Sequence, residues 1–283
     1  MWPLFGLYKV NMRFSVITLF PDMLKSVLGE SILGRAETSG YIKTSYYHLR
    51  DFTEDKHRNV DDTPYGGGFG MLLTAQPILS AHAAALKAIE TDYSDFFDYE
   101  RDFDDENAAN LVKRVKTVYM SPRGKILTQD KAKEIAANFT DLIVICGHYE
   151  GVDQRALDLT DAEEISIGDF VLTGGELPCA ILLDAVARLV PGVLADPVCH
   201  EEESVASGLL EEDRYTKPHT VCDLSVPEEL ISGDHAAVKR WKREMSLKLT
   251  AERRPDMLLK YKSKLTVSDI RYLENVGYKE LLR

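Results

Sequence analysis

Short apolar runs, each followed by a helical pattern, alternate along the first two thirds of this chain. RFSVITLF at 13–20 and LIVIC at 142–146 are typical of buried strands, and KTVYMS at 116–121 and DFVLT at 169–173 are also typical of strands. Strands that alternate with helices usually pair in parallel, because each crossover returns the chain to the same end of the sheet. The pattern therefore predicts an α/β fold: a parallel sheet with both faces covered by helices.

The other predicted elements of this part are a strand at 41–49 and helices at 21–40, 76–90, 129–138, 153–159 and 176–190. A polar, acidic stretch starts near residue 195, and helices follow it. We expect four parts: an N-terminal extension at 1–11, which precedes a second methionine; an α/β domain at 12–194; a linker at 195–213; and a smaller helical domain at 214–283.

The charge of the chain is unevenly distributed. The formal net charge is −12, but residues 90–106 alone hold nine acidic residues and one arginine. We interpret the region of about 90–110 as a surface insertion. Residues 239–264 hold ten Lys and Arg against three Asp and Glu. A local basic surface is sufficient for phosphate binding, so the net charge does not exclude a nucleic-acid partner.

Several classes of protein are poorly supported by the sequence. The apolar runs are too short to span a bilayer, and the N-terminal residues lack the basic region and cleavage site of a signal peptide. The four cysteines have no metal-binding spacing and no regular pairing, so we expect neither a zinc site nor a disulfide framework. Cys199 beside His200 is best explained as chance adjacency. We expect a cytoplasmic protein.

Three glycine-containing loops follow predicted strands: SPRG at 121–124, CGHYEG at 146–151 and TGGELP at 173–178. In an open α/β sheet, ligands bind beyond the carboxyl ends of the strands. None of the loops has a P-loop or dinucleotide-binding pattern, and none has the Lys, Ser and Thr cluster of a triphosphate site. They suit a neutral or cationic small ligand better. Purely structural turns would explain them equally well.

A fourth glycine stretch, TPYGGGFGM at 63–71, has two interpretations. Successive backbone N–H groups could form a phosphate nest, or the stretch could be a simple connector. Its aromatic residues Tyr65 and Phe69 are unusual in a connector, since linkers are more often Gly- and Ser-rich.

Five segments in order carry a resemblance to a known family: RDFTEDKHRNVDDTPYGGGFGM, CGHYEGVDQR, SIGDFVLTGGELP, ARLVPGVL and SGDHAAVKRWKRE. Between about residues 12 and 260 the chain resembles the bacterial tRNA (guanine-N1)-methyltransferases of the SPOUT class. The resemblance implies a deep trefoil knot in the α/β domain. It also implies methyl transfer from S-adenosyl-L-methionine to N1 of the guanine immediately 3′ of the tRNA anticodon.

The resemblance implies that loop backbone groups hold a bent S-adenosylmethionine, and that Gly174 and Gly175 let the backbone approach this ligand. The implied cofactor-binding residues are Tyr119, Ser121, Pro122, Gly124, Gly147, Tyr149, Glu150, Ile167, Gly168, Asp169, Phe170, Val171, Leu172, Gly174, Gly175 and Pro178. Family activity depends on Mg²⁺, but the sequence contains no separate metal-binding motif. Glu150 is a candidate Mg²⁺ contact by analogy alone.

The resemblance also implies an obligate homodimer whose active sites are shared between subunits. The basic helical domain would bind the tRNA backbone through Lys239, Arg240, Lys242 and Arg243. Arg188 matches the arginine that contacts guanine O6. The family's catalytic aspartate lies fifteen residues beyond that arginine, and Glu203 stands at this position.

His148 replaces an arginine of the family pattern, which is a tolerable change. The significant departure is the segment EEES at 201–204, which lacks the usual aspartate before the serine. This departure keeps open a different class of function, a catalytically inactive RNA-binding protein. Glu202 is the next candidate base if Glu203 has no role. A third hypothesis, an enzyme that binds a phosphate ligand at 63–71, is disfavoured by the absence of a Lys, Ser and Thr cluster.

Overall fold

The computed structural model describes residues 11–99, 114–194 and 204–282, and the side chains of 93–99 are not described. Most of the predicted extension at 1–11, part of the acidic insertion, and Cys199, His200, Glu202 and Glu203 therefore lie outside the described residues. The chain divides into two compact units, Met1–Ala195 and Asp196–Arg283. No helix of the described residues is long and apolar enough to cross a membrane.

The first unit is built on a five-stranded parallel sheet, as the sequence predicts. Its strands are β1 (Met12–Thr18), β2 (Ile42–His48), β5 (Val115–Ile126), β6 (Asp141–Cys146) and β7 (Glu163–Ser166), in the spatial order β2-β1-β6-β5-β7. The register places Val16 beside Val144, and Val144 beside Val118. Two short strands, β3 (Asp61–Asp62) and β4 (Leu72–Leu73), form a separate antiparallel pair.

Helices cover both faces of this sheet. Four lie over one face: α1 (Pro21–Leu28), α2 (Ser31–Thr38), α4 (Gln129–Asn138) and α6 (Glu176–Ala187). Two lie over the other: α3 (Ala75–Tyr99) and α5 (Gln154–Thr160). Successive strand residues point to opposite faces, so Leu142 and Val144 belong to the first core while Ile143 and Ile145 belong to the second. The prediction of a two-faced α/β sheet is confirmed.

The predicted helix at 21–40 is wrong in one respect, because the chain forms two helices there. Helix α1 ends at Leu28, and α2 starts at Ser31. A side chain at Gly34 would place its Cβ 2.1 Å from the carbonyl oxygen of Gly29. The absence of a side chain at Gly34 therefore lets the chain fold back closely at the break between the two helices.

The predicted strand at 169–173 is also wrong. The strand of this region is β7, a few residues earlier in the chain, where acidic residues obscured the strand pattern. Glu163 forms ion pairs of 2.9 Å with Lys116 and Lys131. These lysines offset its charge, so a strand with an acidic side chain can form the edge of the sheet. Residues 169–173 pair with no strand, and Val171 is 86% exposed. The apolar side chains of residues 169–173 therefore do not pack into the core of this unit.

Two other elements are longer than predicted. Strand β5 continues to Ile126, so SPRG at 121–124 is an irregularity within a strand and not a loop after one. Helix α3 continues through the first part of the acidic segment to Tyr99, where the sequence predicts an irregular insertion.

The second unit consists of a short hairpin and four α-helices in its described residues: β8 (Thr220–Val221), β9 (Leu224–Ser225), α7 (Glu228–Ile231), α8 (His235–Arg253), α9 (Pro255–Tyr261) and α10 (Val267–Asn275). Its core includes Leu247 and Leu273 from the helices. It also includes Leu209, and the backbone N–H of Leu210 donates a hydrogen bond of 2.9 Å to Thr250 Oγ1. This part of the predicted linker at 195–213 therefore packs into the second unit.

Candidate functional site

The site begins where the neighbouring parallel strands β5 and β7 approach each other closely. The register between these strands shifts between Met120 and Lys125, which is the position of the SPRG segment. A Cβ atom at Gly124 would lie 2.4 Å from the carbonyl group of Glu164, closer than any side chain tolerates. Glycine at 124 therefore permits contact between two protein backbones.

The CGHYEG loop after β6 meets the TGGELP segment before α6. The backbone N–H of Gly175 donates a hydrogen bond of 2.8 Å to the carbonyl oxygen of Gly147, and His148 and Gly174 form an antiparallel bridge. A Cβ atom at Gly175 would lie 2.8 Å from Cys146 Cα, and one at Gly174 would lie 2.3 Å from the His148 ring. On the side where a side chain would stand, both glycines therefore permit close approach of other protein atoms; their predicted contact with the cofactor stays a prediction.

Tyr119 connects β5 to the CGHYEG loop. A Cβ atom at Gly147 would lie 2.6 Å from the Tyr119 hydroxyl oxygen. Burial, assisted by the charge of Glu164, raises the pKa of Tyr119 to about 12. The hydroxyl therefore stays protonated at neutral pH, so it can serve as a hydrogen-bond donor and not as a base.

The segment after β7 presents apolar side chains to solvent. Phe170, Val171 and Leu172 are all exposed. Gly168 has a φ of +149°, and its N–H donates a hydrogen bond of 3.1 Å to Ser166 Oγ. This left-handed conformation favours glycine, and the chain leaves the sheet at this turn. The exposed apolar segment thus starts from an ordered turn.

The remaining predicted cofactor residues lie on the same elements. Ser121 and Pro122 belong to the irregular part of β5, Tyr149 and Glu150 to the loop after β6, Ile167 and Asp169 to the segment after β7, and Pro178 to the first turn of α6. Of the predicted catalytic pair, Arg188 caps the C-terminal end of α6 and is half-buried. Glu203 lies outside the described residues.

The charges of the loops are consistent with S-adenosylmethionine, a sulfonium cation with an apolar adenine. Arg123, in the SPRG segment of β5, forms an ion pair of 2.9 Å with Glu164, which partly offsets its charge. Glu150 has its carboxylate against Gly70 of the fourth glycine stretch, where a Cβ atom would lie 2.7 Å from Oε1. A carboxylate there opposes phosphate binding and favours a cation. The residues present therefore fit the cofactor.

No group of three or more His, Cys, Asp or Glu side chains capable of holding a metal ion occurs in the described parts of the chain. Glu150 is thus a single carboxylate and not part of a preformed metal cage.

Sequence reasoning missed two residues of the site, Thr18 and Glu176, and treated His148 only as a family departure. Glu176 is 1% exposed at the start of α6. Its Oε1 accepts a hydrogen bond of 2.6 Å from Thr18 Oγ1, and its Oε2 lies 2.7 Å from His148 Nε2. The available signal was a glutamate directly after a glycine pair at a helix start, where a carboxylate is favoured by the helix dipole.

The predicted tRNA-binding residues lie on α8 in the second unit, but their environments differ. Lys239 and Arg240 are exposed. Lys242 forms an ion pair of 3.0 Å with Glu212. Arg243 donates two hydrogen bonds, of 3.1 and 2.9 Å, to Asp269. Burial would raise the pKa of Asp269, but the hydrogen bonds from Arg243 and Thr266 outweigh it and hold the pKa below its usual value. Arg243 therefore already has a structural partner.

Comparisons with known proteins identify the family of the chain. The model of the family "tRNA (Guanine-1)-methyltransferase TrmD" matches residues 12–260. A tRNA (guanine-N(1)-)-methyltransferase of Alkaliphilus oremlandii is 44% identical over 269 residues, which cover 95% of this chain and 100% of the relative. Its counterpart in Thermomicrobium roseum is 47% identical over 247 residues, 87% of this chain and 83% of the relative. The chain therefore belongs to the tRNA (guanine-1)-methyltransferase family.

Proposed function

We propose that this protein transfers a methyl group from S-adenosyl-L-methionine to N1 of the guanine immediately 3′ of the tRNA anticodon. One observation carries the proposal beyond family membership: the loop after β6 and the segment before α6 are joined by the hydrogen bond from Gly175 N–H to the Gly147 carbonyl, and the segment after β7 exposes apolar side chains. Arg123, in the SPRG segment of β5, is paired with a carboxylate. Such a site suits a cationic nucleoside better than a nucleotide.

The cofactor supplies an activated methyl group on its sulfonium when bound. The apolar wall of Phe170 and Leu172 would contact its adenine, and backbone groups of Gly147 and Gly168 would fix its orientation. We further propose that the segment 167–175 completes a trefoil knot. The close backbone approaches at Gly124 and Gly175 support this, because the chain leaves β7, the edge strand, and next meets the loop after β6, although β5 lies between these two strands in the sheet.

Methylation at guanine N1 requires removal of a proton, since the neutral base carries hydrogen there and has no lone pair available for attack. We assign Glu203 as the general base that takes this proton. Arg188 would stabilise the negative charge that develops on O6 as the proton leaves, because its guanidinium remains charged at any physiological pH. The N1–methyl bond then forms as the sulfonium–methyl bond breaks, which leaves S-adenosylhomocysteine.

A test of the function needs two tRNA transcripts. We expect the protein to transfer the methyl group of labelled S-adenosylmethionine to a transcript with guanine 3′ of the anticodon. A transcript with adenine at that position should remain unlabelled. Mass spectrometry of nuclease fragments locates the product on N1 of guanine. Binding of both substrates without transfer would favour the inactive RNA-binding hypothesis, and labelling of the adenine transcript would exclude the proposed specificity.

We propose that tRNA phosphates contact the exposed basic residues of α8. Replacing Lys239 and Arg240 by Ala should weaken tRNA binding and lower the slope of log affinity against log salt by about 2, since each lost phosphate contact lowers it by about 1. Fluorescence titrations at several salt concentrations measure this slope.

Arg243→Ala is a matched control on the same helix. Because Arg243 is paired with Asp269, this change should lower the melting temperature of the protein and leave the salt slope nearly unchanged. An unaltered slope in the Lys239 and Arg240 variant would mean that these residues form only a solvated helix face.

We also propose a homodimer in which each active site is shared between subunits. Helices α1 and α6 pack side by side and expose apolar residues along one surface. These are Phe20, Met23, Val27, Leu177 and Ile181, each about half exposed. Exposed apolar side chains on two neighbouring helices support an association site there.

Charges on this surface should dissociate the dimer. We expect the Val27→Asp and Ile181→Asp double variant to sediment as a monomer and to lose methylation, because burying unpaired carboxylates is unfavourable. Leu159→Asp, at a leucine that is 72% exposed on α5, is the control and should remain dimeric. A parent protein that sediments as a monomer would contradict the proposal.

We propose that any Mg²⁺ requirement arises from ion binding at Glu150 together with substrate groups. A single carboxylate combined with water and substrate oxygens is a usual way to hold this ion.

A further inference from the structure

A buried carboxylate lies beside the loops to which we assign the cofactor, and the proposed chemistry does not use it. Glu176 begins helix α6 and is 1% exposed. A carboxylate at such depth is unfavourable unless hydrogen-bond donors and positive charge compensate for the lost hydration. Its location at a helix N-terminus supplies part of this compensation.

Two side chains from other parts of the chain supply the rest. Thr18, the last residue of β1, is fully buried and donates a hydrogen bond of 2.6 Å to Oε1 of Glu176. His148, in the loop after β6, lies with Nε2 2.7 Å from Oε2. A carboxylate oxygen accepts hydrogen bonds, so we assign the hydrogen of this contact to His148 Nε2. The three side chains form one network, here called the Glu176 clamp.

The Glu176 clamp joins three chain segments at the carboxyl ends of the strands. Thr18 belongs to a central strand, His148 to the CGHYEG loop, and Glu176 to the end of the TGGELP segment. The same two segments are joined by the hydrogen bond from Gly175 N–H to the Gly147 carbonyl. The His148 ring also packs on Phe20, with ring centroids 4.8 Å apart. The two loops are thus joined both by backbone contacts and by the His148 side chain.

We propose that His148 is a positioning residue, which through Glu176 and Thr18 holds the loops at 147–151 and 173–175 in the conformation that binds S-adenosylmethionine. His148 acts on the loops and does not contact the reacting atoms. The inference rests on the proposed function, because it requires that these loops bind the cofactor. It also gives a role to the histidine that stands in this chain where the family has an arginine.

The test compares donors at position 148. His148→Leu keeps apolar contact with Phe20 and removes the donor, so we expect S-adenosylmethionine to bind about tenfold more weakly in calorimetric titration. At saturating cofactor the turnover should stay within about twofold of the parent, because the clamp affects binding and not the chemical step. His148→Arg and His148→Gln keep an N–H donor and should recover most of the affinity. If the Leu variant does not fold, the Gln variant still tests the proposal, because a loss of cofactor affinity in a variant that keeps the donor would contradict it.

His82→Ala is the matched control. His82, on α3, is half-buried and hydrogen-bonded to Thr117 Oγ1 at 3.0 Å, and it lies in neither loop. We expect its loss to lower stability without changing cofactor affinity. Parental affinity in His148→Leu, equal weakening in all three position-148 variants, or equal weakening in His82→Ala would overturn the proposal. A parent that binds no S-adenosylmethionine would instead overturn the proposed function, so the two failures are distinguishable.

Discussion

Glu203→Gln is expected to lower the single-turnover rate of tRNA methylation by about 100-fold or more, the usual scale for loss of a general base. Glutamine has nearly the shape of glutamate but cannot accept the N1 proton at neutral pH. Both substrates should bind with parental affinity, since the base acts on the transition state. Rapid-quench measurement with enzyme in excess over tRNA isolates the chemical step from product release.

Two neighbouring substitutions make this result specific. Glu203→Asp should retain or raise activity, because it keeps a carboxylate base and restores the residue type that the family resemblance implies at this distance from Arg188. Glu202→Gln should turn over like the parent. If Glu203→Gln retains the parental rate and Glu202→Gln loses it, Glu202 is the base. If neither variant slows methylation, the assignment of a base to this acidic segment is wrong.

Gly175→Ala is expected to lower both the stability of the protein and its affinity for S-adenosylmethionine. Gly175 has a φ of −82°, which alanine adopts without strain, so the effect isolates the close approach. The new methyl group would lie 2.8 Å from Cys146 Cα, and backbone atoms cannot rotate away as side chains do. Overpacking of this kind costs about 1–3 kcal/mol or more. The loop at 147–151 must shift, so we expect at least about tenfold weaker cofactor binding.

Gly40→Ala is the control for this experiment. Gly40 has a φ of +74°, and no atom lies within 4 Å of the position that an alanine methyl group would take. Alanine there adds backbone strain of about 1–2 kcal/mol and no clash. It should lower thermal stability and leave cofactor affinity unchanged. Calorimetric titration with S-adenosylmethionine and thermal unfolding of both variants measure the two effects. Parental cofactor affinity in folded Gly175→Ala would remove the loop at 173–175 from the cofactor site.

Local sequence patterns predicted the elements whose apolar side chains pack only into the core of their own domain. LIVIC is buried on both faces of the sheet. Its pattern indicates a strand because every residue in it is apolar, as expected for a strand covered on both faces. The helix predicted at 129–138 has the same bounds in the structure, where Thr128 caps its first turn. The alternation of such segments was sufficient to predict a parallel sheet covered on both faces.

The pattern failed where side chains have other partners. Residues 169–173 have the composition of a buried strand, but their apolar side chains face solvent and are available to a ligand or another subunit. In β7 the acidic residues obscured a strand, because Glu163 is neutralised by Lys116 and Lys131 from β5 and α4. Periodicity reports burial within one chain, so it cannot identify partners that lie far apart in sequence or outside the chain.

By itself the sequence determined the α/β fold class and the family, since these depend on local patterns and on motifs in order. Only the tertiary structure decided what the paired glycines approach. Gly174 and Gly175 face the loop after β6, which precedes them by about thirty residues, and Glu176 meets Thr18 across 158 residues. Contacts between residues so far apart in sequence depend on the order of the strands in the sheet. That order results from packing of the whole domain and not from any local preference.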